Sequence, residues 1–306
     1  MGVKWRKQGH VYAPGGERWW ARSHAVLPTA EVVDNCIRVY FASLDEHRYG
    51  RIGYVELDAT DPRRILYEAA EPILDIGPPG AFDDSGVNPS CLLRVGRRRY
   101  LYYTGWQRCE RVPYMLFTGL ATGDADGTVF TKYSPTPVLD RTPADSFSRA
   151  APFVLAERGV FRMWYWSCES WSHEEGGIHY TGVIRYAESA DGIHWTAADR
   201  PCLGPDRPDD YSVGRPCVIV DGGVYRMWYS IRSTSQVGYR IGYAESADRV
   251  TWTRKDREAG IHPGESGWDA EMICYPCVVD AGGRRYMFYN GNRRGATGFG
   301  YAVLDA

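Results

Sequence analysis

Five prolines set the register of this chain. Pro28, Pro89, Pro152, Pro216 and Pro276 each open an apolar run, and thirteen residues after each stands an aromatic: Phe41, Tyr102, Tyr165, Tyr229 and Tyr289. The prolines are 61, 63, 64 and 60 residues apart. Five units of that size fill the chain with nothing substantial left over, which is the mark of a duplicated supersecondary structure. Two segments nearly copy each other: Arg185-Tyr-Ala-Glu-Ser-Ala-Asp-Gly-Ile-His-Trp195 and Gly242-Tyr-Ala-Glu-Ser-Ala-Asp-Arg-Val-Thr-Trp252. Gly300-Tyr-Ala-Val-Leu-Asp305 begins a third copy.

Each unit reads as four strands. The first follows the proline, as in Pro216-Cys-Val-Ile-Val220, and a turn such as Asp221-Gly222-Gly223 leads into the aromatic run. A polar loop, a third strand and a Ser-Ala-Asp-Gly turn follow, and the fourth strand starts at a tryptophan. Aromatic and small residues alternating between Gly and Asp turns are hairpin chemistry. Four-stranded units repeated radially make a propeller. The spacing therefore predicts an all-β single domain over residues 1–306, a five-bladed β-propeller with four antiparallel strands per blade. The fifth unit lacks a fourth strand. Val3–Lys7 offers one, because Trp5 lies 23 residues before Pro28, as Trp195 lies 21 before Pro216 and Trp252 lies 24 before Pro276. The N-terminal strand is thus expected to close the last blade. Trp164, Trp195, Trp228 and Trp252 follow the repeat and are expected to pack between sheets.

Composition narrows the partners. The formal net charge is −2, which excludes a nucleic-acid partner held by bulk charge. No stretch approaches the roughly 20 apolar residues of a membrane span. Met1–Lys7 is charged and does not read as a leader, so the expected location is cytoplasmic. The 8 cysteines are too scattered for a disulfide framework. Cys91, Cys217 and Cys277 read as small core residues. Cys274-Tyr-Pro-Cys277 lies within a strand pattern and has no second pair to complete a zinc site, so no metal is expected. No glycine-rich phosphate loop opens a helix, so no organic cofactor is expected.

Up-and-down connectivity puts two sets of loops on one face: those before each proline and those after each aromatic run. Before the prolines stand His24, Asp84 with Asn88, Arg149, Arg215, and Asp269 with Glu271. After the aromatic runs stand Trp106, Trp166 with Glu169, Arg232, and Asn290 with Asn292 and Arg293. Charges crowded round a narrow axis are costly unless a ligand or mutual pairing satisfies them. Trp106 and Trp166 break the blade period and suit stacking on a sugar ring. Asn88, Asn290 and Asn292 suit hydrogen bonding to it. Arginine's planar fork suits carboxylate or phosphate, so His24, Arg149, Arg215, Arg232 and Arg293 point to an anionic sugar.

The repeat Tyr-Ala-Glu-Ser-Ala-Asp-Gly-Ile-His-Trp, the segment Phe82-Asp-Asp-Ser-Gly-Val-Asn-Pro-Ser90 and the segment Met287-Phe-Tyr-Asn-Gly-Asn292 resemble the five-bladed propeller glycosidases around glycoside hydrolase families 32, 43, 62 and 68, over the whole chain. The resemblance implies carboxylates on the loops leading to successive inner strands. Asp84 matches the second of these. The first position holds Ser23 and His24, and the third holds Ser148 and Arg149, so two expected acids are absent. A replacement pair is Asp84 and Glu271, each five residues before its proline, with Glu169 as a substitute acid and Asp269 as a like charge that tunes Glu271. Glycoside cleavage needs two carboxyls flanking the bond. The expected function is therefore cleavage or transfer of a glycosidic bond. A propeller that binds carbohydrate without chemistry is the alternative that the absent acids leave open.

Overall fold

A computed structural model describes residues 3–174 and 177–305. Twenty strands account for nearly all regular structure: β1 (Trp5–Tyr12), β2 (Ser23–Val33), β3 (Cys36–Leu44), β4 (Gly50–Asp58), β5 (Ile65–Glu68), β6 (Gly86–Val95), β7 (Arg98–Arg108), β8 (Tyr114–Gly123), β9 (Phe130–Lys132), β10 (Arg149–Glu157), β11 (Val160–Glu174), β12 (Gly177–Ser189), β13 (Thr196–Ala197), β14 (Asp210–Asp221), β15 (Val224–Ser233), β16 (Tyr239–Ser246), β17 (Thr253–Arg254), β18 (Cys274–Ala281), β19 (Arg284–Asn290) and β20 (Phe299–Leu304). They pair antiparallel in runs of four: β2 to β5, β6 to β9, β10 to β13, β14 to β17, and β18 to β20 with β1. Single parallel bridges, Gly50 to Gly86, Phe117 to Arg149 and Gly182 to Ser212, link one run to the next. The first strands pack in sequence, β2 on β6, β6 on β10, β10 on β14 and β14 on β18, and β18 packs back on β2.

The N-terminal strand pairs antiparallel with β20, Trp5 opposite Leu304 and Lys7 opposite Ala302. It runs on to Tyr12, beyond the Val3–Lys7 segment read from the tryptophan spacing. Trp5 is buried edge-on to Trp228, 5.6 Å between ring centroids. Trp164 packs edge-on to Trp252 and tilted against Tyr186. The tight turns need positive φ, which Gly222-Gly223 and Gly282-Gly283 supply without a Cβ penalty. In the Ser-Ala-Asp-Gly turn, Asp191 accepts the N–H groups of Ile193 and His194, so the motif is structural.

A second repeat lies inside the sheets. Second-strand tyrosines donate their hydroxyls to buried aspartates: Tyr103 to Asp83 at 2.9 Å, Tyr165 to Asp145 at 2.9 Å and Tyr289 to Asp269 at 2.9 Å. A cation balances each. Lys132 of β9 lies 2.6 Å from Asp83, Lys7 of β1 lies 2.7 Å from Asp269, and Arg149 lies 2.7 Å from Asp145. Two of these pairs fasten a peripheral strand to the loop leading to an inner one. Removing one partner of a fully buried pair costs about 3–5 kcal/mol, and less where water reaches one partner. Lys7 is 27 % exposed, so Lys7→Met is expected to lower stability by about 2–3 kcal/mol. Chemical denaturation of the variant beside the wild type measures this. An unchanged midpoint and slope would show that β1 is not held by this pair.

Candidate active site

The site begins with the backbone of the residue before each proline. Leu27, Ala151, Arg215 and Tyr275 all have positive φ, 56°, 49°, 53° and 58°. This left-handed conformation is uncommon for residues with a Cβ, and the residue before a proline normally stays extended. Each of these residues falls in a break of the ladder between its strand and the next: Val26/Thr29, Ala150/Phe153, Gly214/Cys217 and Cys274/Cys277. A bulge re-aims a side chain out of the sheet's alternation. The four residues, with Asn88 of β6, line one cavity.

That cavity encloses about 660 Å³, part of it open to solvent. Above the pre-proline ring its wall is formed by Thr104, Ser212, Ser230, Trp166, Tyr114, Tyr180 and Tyr239 among others. Trp166 Nε1 donates to Ser212 Oγ at 3.2 Å. Its ring fits because residue 182 is glycine: a Cβ there would stand 2.1 Å from Trp166 Nε1. Aromatic faces beside hydroxyls and an amide form a wall that a sugar can both stack on and hydrogen-bond.

Three arginines give the cavity its sign. Arg215 is buried in the floor. Its Nη1 donates to the Ser90 carbonyl at 2.8 Å and its Nη2 to Thr29 Oγ1 at 2.8 Å, while its Nε has no partner. Arg232 lies over the rings of Tyr180, Tyr211 and Tyr239, with Nη1 3.2 Å from the Tyr180 hydroxyl and Nε buried without a partner. Arg294, exposed and at a positive φ of 58°, is close enough to feel the charge of Arg232 and the tyrosines Tyr275, Tyr239 and Tyr114. Burial pushes the phenols of Tyr114, Tyr239 and Tyr275 up, so all are neutral donors at physiological pH. Among the described residues no carboxylate lines the cavity.

The residues singled out in the sequence separate into three groups. Asn88, Trp166 and Arg215 line the cavity, and Arg232 stands against its tyrosines. Asp84, Glu271, Trp106 and Arg293 lie outside the lining. Asp84 is half-buried and accepts the Gly80 N–H at 2.9 Å and the Ser85 hydroxyl at 2.8 Å. Glu271 and Arg293 are exposed. Trp106 is half-buried against Gly86 and lies near Arg108. The remaining polar groups are committed to the scaffold, which corrects their expected roles. Asp269 is neutralised by Lys7 and Tyr289, so it supplies no free like charge to Glu271. Arg149 is consumed by Asp145, and Glu169 is ion-paired with Arg185 at 2.8 Å. Asn290 is fully buried and ties Leu27 N–H, Ala25 O and Gly298 O together. Asn292 holds the Glu271 N–H and the Gly267 carbonyl. Sequence reasoning missed Tyr114, Tyr180, Tyr239, Tyr275 and Arg294. Tyr275 stands directly before a proline, and Tyr114, Tyr180 and Tyr239 each stand near the start of a third strand, so the repeat did carry a signal for them.

The architecture is that of the propeller-type glycoside hydrolases. A structure from the GH130 family of mannoside phosphorylases, described as containing hydrolases of β-1,2-mannosidic linkages in Candida mannan, superposes with a TM-score of 0.77 over 99 % of this chain and 94 % of that one, at 16 % identity. A thermostable family-43 glycoside hydrolase superposes with a TM-score of 0.69 over 92 % of this chain and 88 % of its own, at 16 % identity. No family model matches the sequence. The chain is 43 % identical over 304 residues to the uncharacterized protein MT1551 of Mycobacterium tuberculosis, covering 99 % of this chain and all of that one, and it belongs to the same family. It is also 29 % identical over 147 residues, 46 % of its length, to a 1,2-beta-oligomannan phosphorylase of Thermoanaerobacter, covering 48 % of that protein.

Positive charge extends to the rim. His24, with φ of 68°, contacts Ser23 Oγ at 2.9 Å. Burial, and then Arg48 and Arg294, hold its imidazole below the ordinary value of 6.5. His10 is lowered in the same direction, also by burial. Between the folded and unfolded values the unfolded chain binds more protons, so stability rises with pH there and is lost as pH falls below 6.5. The melting temperature is therefore expected to drop from about pH 7 to 5. The drop should shrink in a His10→Gln, His24→Gln double variant. A drop of equal size in the variant would assign it to other groups.

Proposed function

We propose that the chain is a carbohydrate-active enzyme that cleaves or transfers a glycosidic bond in the hub of a closed five-bladed propeller, and that its substrate carries or meets an anion there. The return packing of β18 on β2 and the pairing of β1 with β20 support the ring reading. The observation that carries the functional reading is a cavity walled by tyrosines, Trp166 and hydroxyls, with Arg215, Arg232 and Arg294 on or beside it and no carboxylate in its lining. Guanidinium groups without acid partners select an oxyanion. A uronate, a sugar phosphate or inorganic phosphate as acceptor fits that requirement. Phosphate as acceptor fits the partial likeness to an oligomannan phosphorylase, because an attacking phosphate oxygen replaces the water and its general base, and one acid suffices to protonate the leaving oxygen.

Asp84 is the preferred acid. It is the one half-buried candidate held by neutral donors alone, whereas Asp269 and Glu169 have cations beside them. Glu271, exposed on the loop leading to β18, is the second candidate. Asp84→Asn and Glu271→Gln are each expected to lower turnover by at least about a hundredfold, measured as reducing sugar or sugar phosphate released from manno-oligosaccharides with and without phosphate. Full activity in both variants removes the acid/base assignment. Arg232→Met is expected to weaken an anionic sugar by roughly ten- to hundredfold, the worth of about 1.5–3 kcal/mol for a hydrogen bond to a charged group, and a neutral sugar much less. Calorimetry with a uronate and its neutral counterpart decides this, and equal losses would remove the anion. Binding without chemistry is the second reading, favoured by the carboxylate-free lining. It requires that calorimetric binding survive in Asp84→Asn and that no product form under any acceptor.

A further inference from the structure

Beneath the cavity floor the hub is fastened by sulfur. Cys91 Sγ accepts the Val154 N–H at 3.4 Å, Cys217 Sγ accepts the Val278 N–H at 3.1 Å, and Cys277 Sγ accepts the Ala30 N–H at 3.2 Å. Val278, Ala30 and Val154 each stand two residues after their proline, so one contact recurs at three junctions between neighbouring first strands. At one junction it brings two thiols together. Cys217 of β14 and Cys277 of β18 both directly follow their prolines, and Cys217 Sγ reaches the amide of the residue next to Cys277. Val278 is bonded directly to Cys277, so this contact sets the two cysteines against each other where β14 packs on β18. Both side chains are buried, and Arg215, two residues before Cys217, lines the cavity.

We propose that Cys217 and Cys277 form a reversible redox pair, a cross-link between β14 and β18 made by a peroxide under the floor of the cavity. Cys277 is the attacking sulfur. Interaction with Cys217 and the nearby Arg215 guanidinium hold its thiol below the ordinary range against burial, while Cys217 itself is held well above it. The thiolate is the nucleophile in such chemistry. It attacks one oxygen of hydrogen peroxide, the O–O bond breaks, and hydroxide leaves with the proton released from Cys277 as water, giving a sulfenic acid. Cys217 sulfur then displaces the sulfenic hydroxyl, which leaves with the Cys217 proton as a second water. The two sulfurs lose two electrons in all, and the peroxide gains them. The other cysteines are placed differently: Cys109 is exposed, and Cys91 hydrogen-bonds only to backbone.

The test uses the intact folded chain. Protein is exposed to hydrogen peroxide, remaining thiols are alkylated in denaturant, and peptides are read by mass spectrometry. The expected result is a cross-linked peptide pair joining Cys217 to Cys277, lighter by two hydrogens and restored by a thiol reductant. In Cys217→Ser the expected product is a sulfenic acid on Cys277, trapped by a cyclic diketone. In wild-type protein, full alkylation of both residues after the exposed Cys109 has oxidised overturns the proposal, as does a cross-link of either residue mainly to another cysteine. The wild-type result decides even if the serine variant fails to fold. A melting curve before oxidation verifies that the reacting protein is native.

Discussion

The left-handed turn of backbone ahead of four of the five register prolines is the constraint on which this molecule depends. Leu27, Ala151, Arg215 and Tyr275 share it, and each costs conformational energy of order 1–3 kcal/mol. Proline removes an N–H at the point where the ladder is already broken, so no hydrogen bond is lost there. The strand then resumes two residues later, where its amide meets a cysteine sulfur of the neighbouring run at three junctions. Strain, proline and sulfur acceptor thus form one device. It sets four residues, Leu27, Ala151, Arg215 and Tyr275, around a single space that Asn88 also lines.

Charge is distributed by the same architecture. Acids near the starts of the inner strands are taken up by tyrosines and by cations: Asp83 by Lys132, Asp145 by Arg149, Asp269 by Lys7. Buried ion pairs of this kind add little net stability, but breaking one is expensive, so these acids are held to structural duty. Arg215, Arg232 and Arg294 have no such partner. The cavity is positive because its nearby carboxylates are already spent on holding the sheets together.

Much of this was legible in the amino-acid pattern, for a physical reason. Strand period, turn chemistry and proline placement are local, and duplication multiplied each signal fivefold. Trp5 could be placed in the last run because it keeps the spacing of Trp195 and Trp252. That Asn88, Trp166 and Arg215 share one cavity could be read from the sequence because connectivity dictates which loops converge. The fates of Asp269 and Arg149 were not legible. Lys7 is 262 residues from Asp269, and no local pattern says which acid a distant lysine will neutralise. Tyr180 and Tyr239 were passed over because tyrosine is the commonest filler of these strands. Only the register shows which ones turn toward the hub.

The pairing of Trp5–Tyr12 with Phe299–Leu304 has a kinetic meaning. Trp5 finds its partner in Leu304, nearly the whole described sequence away. Until then the strand carries Trp5 and an unpaired edge while the intervening sheets assemble in order. Long-range contacts of this kind slow folding, and an open edge invites foreign strands. The charged residues Lys4, Arg6 and Lys7 within that waiting segment are the sort that discourage such capture. Among the described strand pairs this one spans the longest reach of sequence, so it is the pairing that contact separation slows most.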